Sequence, residues 1–181
     1  MIVFLGTFDG VLEALAEYMH VDQVVSQQGK LRNAKLQWRL QNSGVQWGDV
    51  GNRAEFDQWV ERQGRIDLCV VAGFSYILRQ PFLDKCGCVI NFHPGLLHQC
   101  RGPQPVAAAI LSGHAEYGVS VHRIDSEAID AGPIIETRTM PIDYNKTYAR
   151  NYQAIKSAMA GLAGDLFARH GANDWPQGEN W

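Results

Sequence analysis

A chain of 181 residues, 46% hydrophobic and 19% charged, has the length and composition of one globular domain with a sizeable core. Its formal net charge of −3 supplies no basic field, which argues against capture of nucleic acid. No apolar run approaches a membrane span, and Met1 leads straight into a strand-like segment without a basic leader, so a cytoplasmic protein with no membrane partner is expected.

Residues 2–5 form a short apolar run closed by Gly6, and Leu12, Leu15, Ala16 and Met19 then recur at helical spacing within 11–19. Strand, tight turn and helix is the usual opening of a parallel α/β sheet. Residues 21–25 read as the second strand. Between 27 and 51 the pattern weakens, with a helix over 30–40 that turns Leu31, Leu36 and Leu40 inward. Phe56, Trp59 and Val60 give 53–63 an amphipathic face, stopped by Gly64.

Residues 66–72 are a continuous apolar strand of the kind buried on both faces. A connecting segment at 81–83 precedes a strand at 88–90, which delivers Asn91 and His93 at its end. A helix over 106–111, strands over 118–124 and 134–140, and a long helix over 145–170 complete the series. Tyr148, Tyr152, Ile155, Met159, Leu162, Leu166 and Phe167 keep one side of that last helix apolar. The expected fold is α/β, a mostly parallel twisted sheet with helices on both faces. One domain covers 1–172, and a short tail, 173–181, packs loosely or frays.

Cys86 and Cys88 have one residue between them, too close for the usual zinc spacing, and as alternate strand residues they share a face. With Cys69 and Cys100 they read as buried structural thiols, and no metal is expected.

The polar residues at the strand ends are more telling. An amide (Asn91), an imidazole (His93) and a carboxylate (Asp130) follow apolar runs, where an open α/β sheet collects catalytic groups. That trio suits a reaction that builds a tetrahedral oxyanion and moves a proton. Each has a plain alternative: a strand-end Asn, a loop His before Pro94, a turn-forming Asp before Gly132-Pro133. His114 and His122 flank a strand and a turn, where hydrogen bonding to neighbours is the plain expectation.

Residues 67–78, Asn91-Phe92-His93-Pro94-Gly95-Leu96-Leu97, Arg101-Gly102, Gly118-Val119-Ser120-Val121-His122 and Ile129-Asp130-Ala131-Gly132-Pro133 resemble, in the same order, the 10-formyltetrahydrofolate-dependent formyltransferases. The resemblance implies a Rossmann-like formyltransferase fold with 10-formyltetrahydrofolate as formyl donor. It implies Asn91, His93 and Asp130 as the catalytic set. It also implies a pterin site at Phe74, Tyr76, Ile77, Leu78, Ala128 and Asp130, largely through backbone groups. Three departures stand out: Gly95 where the family usually has Ser or Thr, His98 for a frequent Pro, and Tyr76 where purine-pathway members carry Arg.

On the acceptor side, Gly6, Thr7, Phe8, Arg101 and Gly102 are the candidate contacts. Asp9 places a negative charge at the first helix start, which disfavours phosphate there and favours helix capping. The chain stops short of a tRNA-gripping domain, so a small-molecule amine is expected, with a nucleotide-linked amino sugar the favoured class and a homodimer compatible with it. The alternatives are a formyltetrahydrofolate hydrolase, whose usual amino-terminal domain is absent, and a non-catalytic folate- or partner-binding module.

Overall fold

The computed structural model describes residues 1–27, 30–31 and 33–181. Among the described residues thirteen elements follow in order: β1 (Ile2–Gly6), α1 (Asp9–Tyr18), β2 (Gln23–Gln27), α2 (Ala34–Asn42), β3 (Gln46–Val50), α3 (Arg53–Glu61), β4 (Ile66–Ala72), α4 (Gln80–Leu83), β5 (Cys86–His93), α5 (Pro105–Leu111), β6 (Glu116–Arg123), β7 (Ile134–Pro141) and α6 (Tyr148–Arg169). They build one seven-stranded sheet in the order β3-β2-β1-β4-β5-β6-β7. The strands from β3 to β5 run parallel, and β6 and β7 are added antiparallel. Strand order reverses between β1 and β4, the switch point beside which ligand crevices form.

Alternation along the strands feeds two cores. Phe4, Leu68, Val70, Ile90 and Phe92 face the layer made by α1, α2, α5 and α6. Val3, Leu5, Cys69, Val71 and Val89 face the layer of α3 and α4, where Phe56, Val60, Phe82 and Leu83 are buried. Both faces are covered, as expected of an open α/β sheet.

Three expectations change. β3 lies in the region without clear pattern. It is an edge strand whose only buried residue is Val50, so burial leaves little mark on its sequence. The helix expected over 30–40 begins at Ala34, with Asn33 accepting the Leu36 N–H as its cap, while position 32 lies outside the described residues. The tail does not hang free. Trp175 is 7% exposed against Phe167, and Glu179 makes an antiparallel bridge with Ile134.

At the first turn, Phe8 occupies the cap position of α1 and Asp9 is its first helical residue. The Asp9 carboxylate accepts the Gly10 N–H and the Asn33 side-chain amide, rather than capping from outside. Gly6 has φ 151, and a Cβ there would lie 2.0 Å from the Ala72 carbonyl oxygen. The glycine is fixed by the approach of β4.

Candidate active site

β5 is longer than the sequence pattern suggests, and Asn91 and His93 are its last inward-facing pair instead of loop residues. Alternation turns Ile90 and Phe92 to the α1–α6 core and leaves Asn91 and His93 on the opposite face. Over that stretch lies the loop of residues 94–104. The Leu97 N–H donates to Ser120 Oγ, and His93 Nε2 is 2.9 Å from the Cys100 carbonyl oxygen. Antiparallel pairing sets His122 of β6 directly opposite Asn91.

Four polar side chains meet there. Asn91 Nδ2 is 3.0 Å from His122 Nε2. Asp130, from the β6–β7 connection, lies 3.6 Å from His93 Nδ1 through one carboxylate oxygen and 3.6 Å from His122 Nε2 through the other. The Gly102 N–H donates to Asp130 Oδ2 at 2.8 Å. The three expected catalytic residues therefore converge, and His122 joins them. Alternation puts it on one strand face with Ser120, but only the register with Asn91 brings it into the cluster.

Carbonyl partners assign the ring protons. His122 Nδ1 is 2.9 Å from the Arg123 carbonyl, so it donates there and Nε2 accepts an Asn91 N–H. His93 Nε2 likewise donates to Cys100, which turns the lone pair of Nδ1 toward Asp130. Burial pushes the His93 pKa below the ordinary histidine value, against the upward pull of Asp130 and the Cys100 carbonyl. Burial also opposes ionisation of Asp130. The two imidazoles and the Gly102 N–H outweigh it and hold the carboxyl below the usual carboxylate range. Near neutrality the pair is an anion beside a neutral imidazole, ready to take up one proton.

Asp130 has φ 49, a left-handed conformation unusual for a residue with a side chain. Gly132, two residues on, is constrained by contact instead, since a Cβ would meet the Arg123 carbonyl oxygen at 2.0 Å. Gly95 explains how the loop reaches His93. A Cβ there would lie 2.5 Å from Pro105 Cβ and 2.9 Å from both the Cys100 oxygen and His93 Nε2. Pro105, the Cys100 carbonyl and the His93 ring thus leave no room for a side chain at this position.

These groups line a cavity of about 570 Å³. Phe74, Tyr76, Ile77, Leu78, Ala128 and Asp130 all border it, as do Thr7, Phe8 and Gly102. Two of the expected contacts do not. Gly6 is packed against β4, and the Arg101 guanidinium lies 4.1 Å over the Trp181 ring. Aromatic walls stand on both sides. Phe74 and Tyr76 meet edge-to-face at 5.5 Å on the α3 side. On the α1–α6 side Tyr152 packs 6.4 Å from Phe8 and stacks on Tyr148 at 5.7 Å. Tyr148, expected in the apolar side of α6, is 48% exposed at this rim.

The surrounding loops are tied down. Gln27 Oε1 accepts from Ser75 N–H and Oγ, and the Ile77 carbonyl, one of the pterin contacts the resemblance implies, accepts from Arg53. Glu127 accepts the Gln80 N–H, latching the two loops of the α3 side together. At the first turn the N–H groups of Thr7 and Phe8 both point to the Ala72 carbonyl, so this turn offers them to no phosphate.

All four thiols are free, and burial pushes each up, Cys86 to about 12. Two histidines and Asp130 converge, yet among the described residues no group of three or more His, Cys, Asp or Glu is placed to hold a metal ion. No helix of the described residues is long and apolar enough to cross a membrane.

A family model described as formyl transferase matches residues 11–162. The methionyl-tRNA formyltransferase of Phenylobacterium zucineum (strain HLK1) is 29% identical over 197 residues, covering 98% of this chain and 63% of that protein. That of Roseiflexus sp. (strain RS-1) is 49% identical over 80 residues, 43% of this chain and 24% of that protein. The chain thus spans less than two thirds of the length of these curated relatives. Among solved structures, phosphoribosylglycinamide formyltransferase from Streptococcus pneumoniae TIGR4 superposes with a TM-score of 0.75 at 24% identity, covering 93% of this chain and 96% of that one. An N-formyltransferase from Helicobacter canadensis, in complex with folinic acid and dTDP-3-aminofucose, gives 0.78 at 19% identity, covering 99% and 67%. At these identities the structural likeness speaks to the fold, which is Rossmann-like α/β.

Proposed function

Because the chain belongs to the formyl transferase family, we propose that it moves a formyl group from 10-formyltetrahydrofolate to a primary amine of a small acceptor. The observation that carries this reading is the cluster of Asn91, His93, His122 and Asp130 in one cavity with apolar walls. The wall of Phe74, Tyr76, Ile77, Leu78 and Ala128 suits the flat pterin, with Asp130 at its inner end. The acceptor enters from the side of Thr7, Phe8, Gly102 and the Tyr148–Tyr152 stack.

The amine nitrogen attacks the formyl carbon, and the carbonyl oxygen takes up the electron pair. One N–H of Asn91 is committed to His122, and the other is free to meet that oxyanion. A single such donor is worth on the order of 10²–10³ in rate. His93 Nδ1, which carries no proton in the neutral ring, accepts the proton shed by the amine, and Asp130 stabilises the imidazolium so formed. As the oxyanion collapses, the bond from the formyl carbon to folate N10 breaks. The proton passes from His93 to N10, and the formamide and tetrahydrofolate leave. No enzyme thiol is needed, and the thiols are held protonated by burial.

The stacked tyrosines favour an acceptor that carries a planar ring, which supports a nucleotide-linked amino sugar over a simple amine. A small acceptor is also preferred to a nucleic acid because the net charge is −3. The test is direct. With 10-formyltetrahydrofolate alone the protein should release little tetrahydrofolate, and adding a nucleotide-linked amino sugar should start release with one formamide per turnover. Fast release without an amine identifies a hydrolase instead. Folate binding without turnover on any amine identifies a binding module.

A further inference from the structure

The connection that carries Asp130 has a conformational problem to solve. A side-chain residue at φ 49 persists only where the surroundings hold it. One restraint comes from inside, the Gly102 N–H on Asp130 Oδ2. A second comes from β6, whose Arg123 N–H donates to the Pro133 carbonyl at 2.9 Å, and further ones from the segment that follows α6.

That segment is anchored by Trp175, which is buried against Phe167 and His170. It then crosses the outside of the site. The Pro176 carbonyl accepts from Arg123 Nη1 at 3.2 Å. Glu179 and Ile134 exchange backbone hydrogen bonds of 2.9 and 2.8 Å, made possible by Gly178 at φ 80, where a Cβ would lie 2.9 Å from the Ile134 oxygen. Trp181 Nε1 donates to the Gly132 carbonyl, and the Trp181 ring carries the Arg101 guanidinium at 4.1 Å. Three of these partners sit one or two residues from the polar cluster: Arg123 beside His122, Gly132 two after Asp130, and Arg101 beside the Gly102 that binds Asp130.

We propose that Trp181 is a positioning residue. With the strand-like run leading to it, Trp181 straps the Asp130 connection to the Arg101–Gly102 loop and so holds Asp130 against His93. The kinetic part of the test rests on the formyl-transfer reading, whereas the exchange part stands without it. The strap works through backbone and cation–π contacts outside the cavity, and it touches no reactant.

The variants are W181A, W181F, and a chain ending at Gln177, which keeps the buried Trp175. Amide hydrogen exchange is followed by segment. In W181A and the shortened chain, exchange in 129–133 and 101–104 should rise by about tenfold or more while β4 and β5 keep their protection. Turnover of 10-formyltetrahydrofolate should fall about tenfold with KM for the folate nearly unchanged, since a displaced Asp130 costs rate more than binding. W181F keeps a ring over Arg101 but loses the N–H to the Gly132 carbonyl, so it should restore protection in 101–104 and leave 129–133 and turnover close to W181A. Unchanged exchange in the two loops overturns the proposal, and so does a rise spread over the whole sheet, which would make the segment a general support. If the wild-type protein turns over no amine, the formyl-transfer reading fails and the loop exchange still decides whether the strap exists.

Discussion

The two halves of the sheet obey different rules. From β3 to β4 the strands run parallel between helices. β1 is buried at every position and β4 at all but Asp67, and what these strands supply to the cavity is Val71 of β4 and the turns at their ends. From β5 to β7 the pairing is antiparallel, a loop replaces a helix over one face, and that face holds Asn91, His93, Ser120 and His122. The first half therefore provides rigidity mainly by apolar burial, with Ser26 and Gln27 at the end of β2 as its buried polar residues. The second can bury polar groups because antiparallel cross-strand pairing and the overlying loop satisfy their hydrogen bonds.

That contrast can be broken deliberately. Phe4 in β1 is fully buried, and Phe4→Ala should cost about 3–5 kcal/mol of stability, read as a lower denaturant midpoint, with turnover per folded molecule retained. Asn91→Ala should do the reverse. It should lose on the order of 10²–10³ in turnover, about 2.7–4 kcal/mol of barrier, while the unfolding midpoint moves little. An Asn91→Ala protein with full turnover would remove the amide from the mechanism.

Gly95 tests where the two regimes meet. Gly95→Ser puts a Cβ into Pro105, the Cys100 oxygen and His93 Nε2, so it should destabilise by about 1–3 kcal/mol and slow turnover together. A neutral result would mean that the 94–104 loop relaxes freely.

The smallest effects are those of pH. The carboxylate of Asp130 raises the His93 pKa against burial, so in Asp130→Asn the acid limb of the residual activity should move to lower pH. The wild-type limb should itself lie below about pH 6.5, the ordinary histidine value, because the folded His93 value is lowered. Stability has the same sign at both groups. A depressed folded pKa contributes stability above the unfolded value, and it is lost as pH falls through the folded one. For Asp130 that window lies below about pH 4, and an acid titration of the unfolding midpoint should show it shrink in Asp130→Asn.

Much of this was legible in the residues. The continuous apolar run of β4 and the periodicity of α6 reflect burial, which leaves a mark at every position. The convergence of Asn91, His93 and Asp130 was legible only through their flanking motifs, because spacing alone cannot tell a site from a strand end and a turn. Features set by contact rather than burial stayed hidden. β3 is an exposed edge, His122 takes part through its cross-strand register with Asn91, and Arg101 is drawn from the cavity by a ring eighty positions away in the chain. Cys100 reads from the sequence as a buried structural thiol, and it is buried, but its carbonyl also orients His93.

That carbonyl gives the imidazole a single port. With Nε2 committed to Cys100, His93 exchanges protons with the cavity through Nδ1 alone. An inhibitor built for this protein should therefore present a cationic N–H donor between Nδ1 and the Asp130 carboxylate, where an amidinium would find both an acceptor and a counter-charge. A ligand that requires a neutral ring donating from Nδ1 would force the Nε2 lone pair against a carbonyl oxygen, and should bind weakly for that reason.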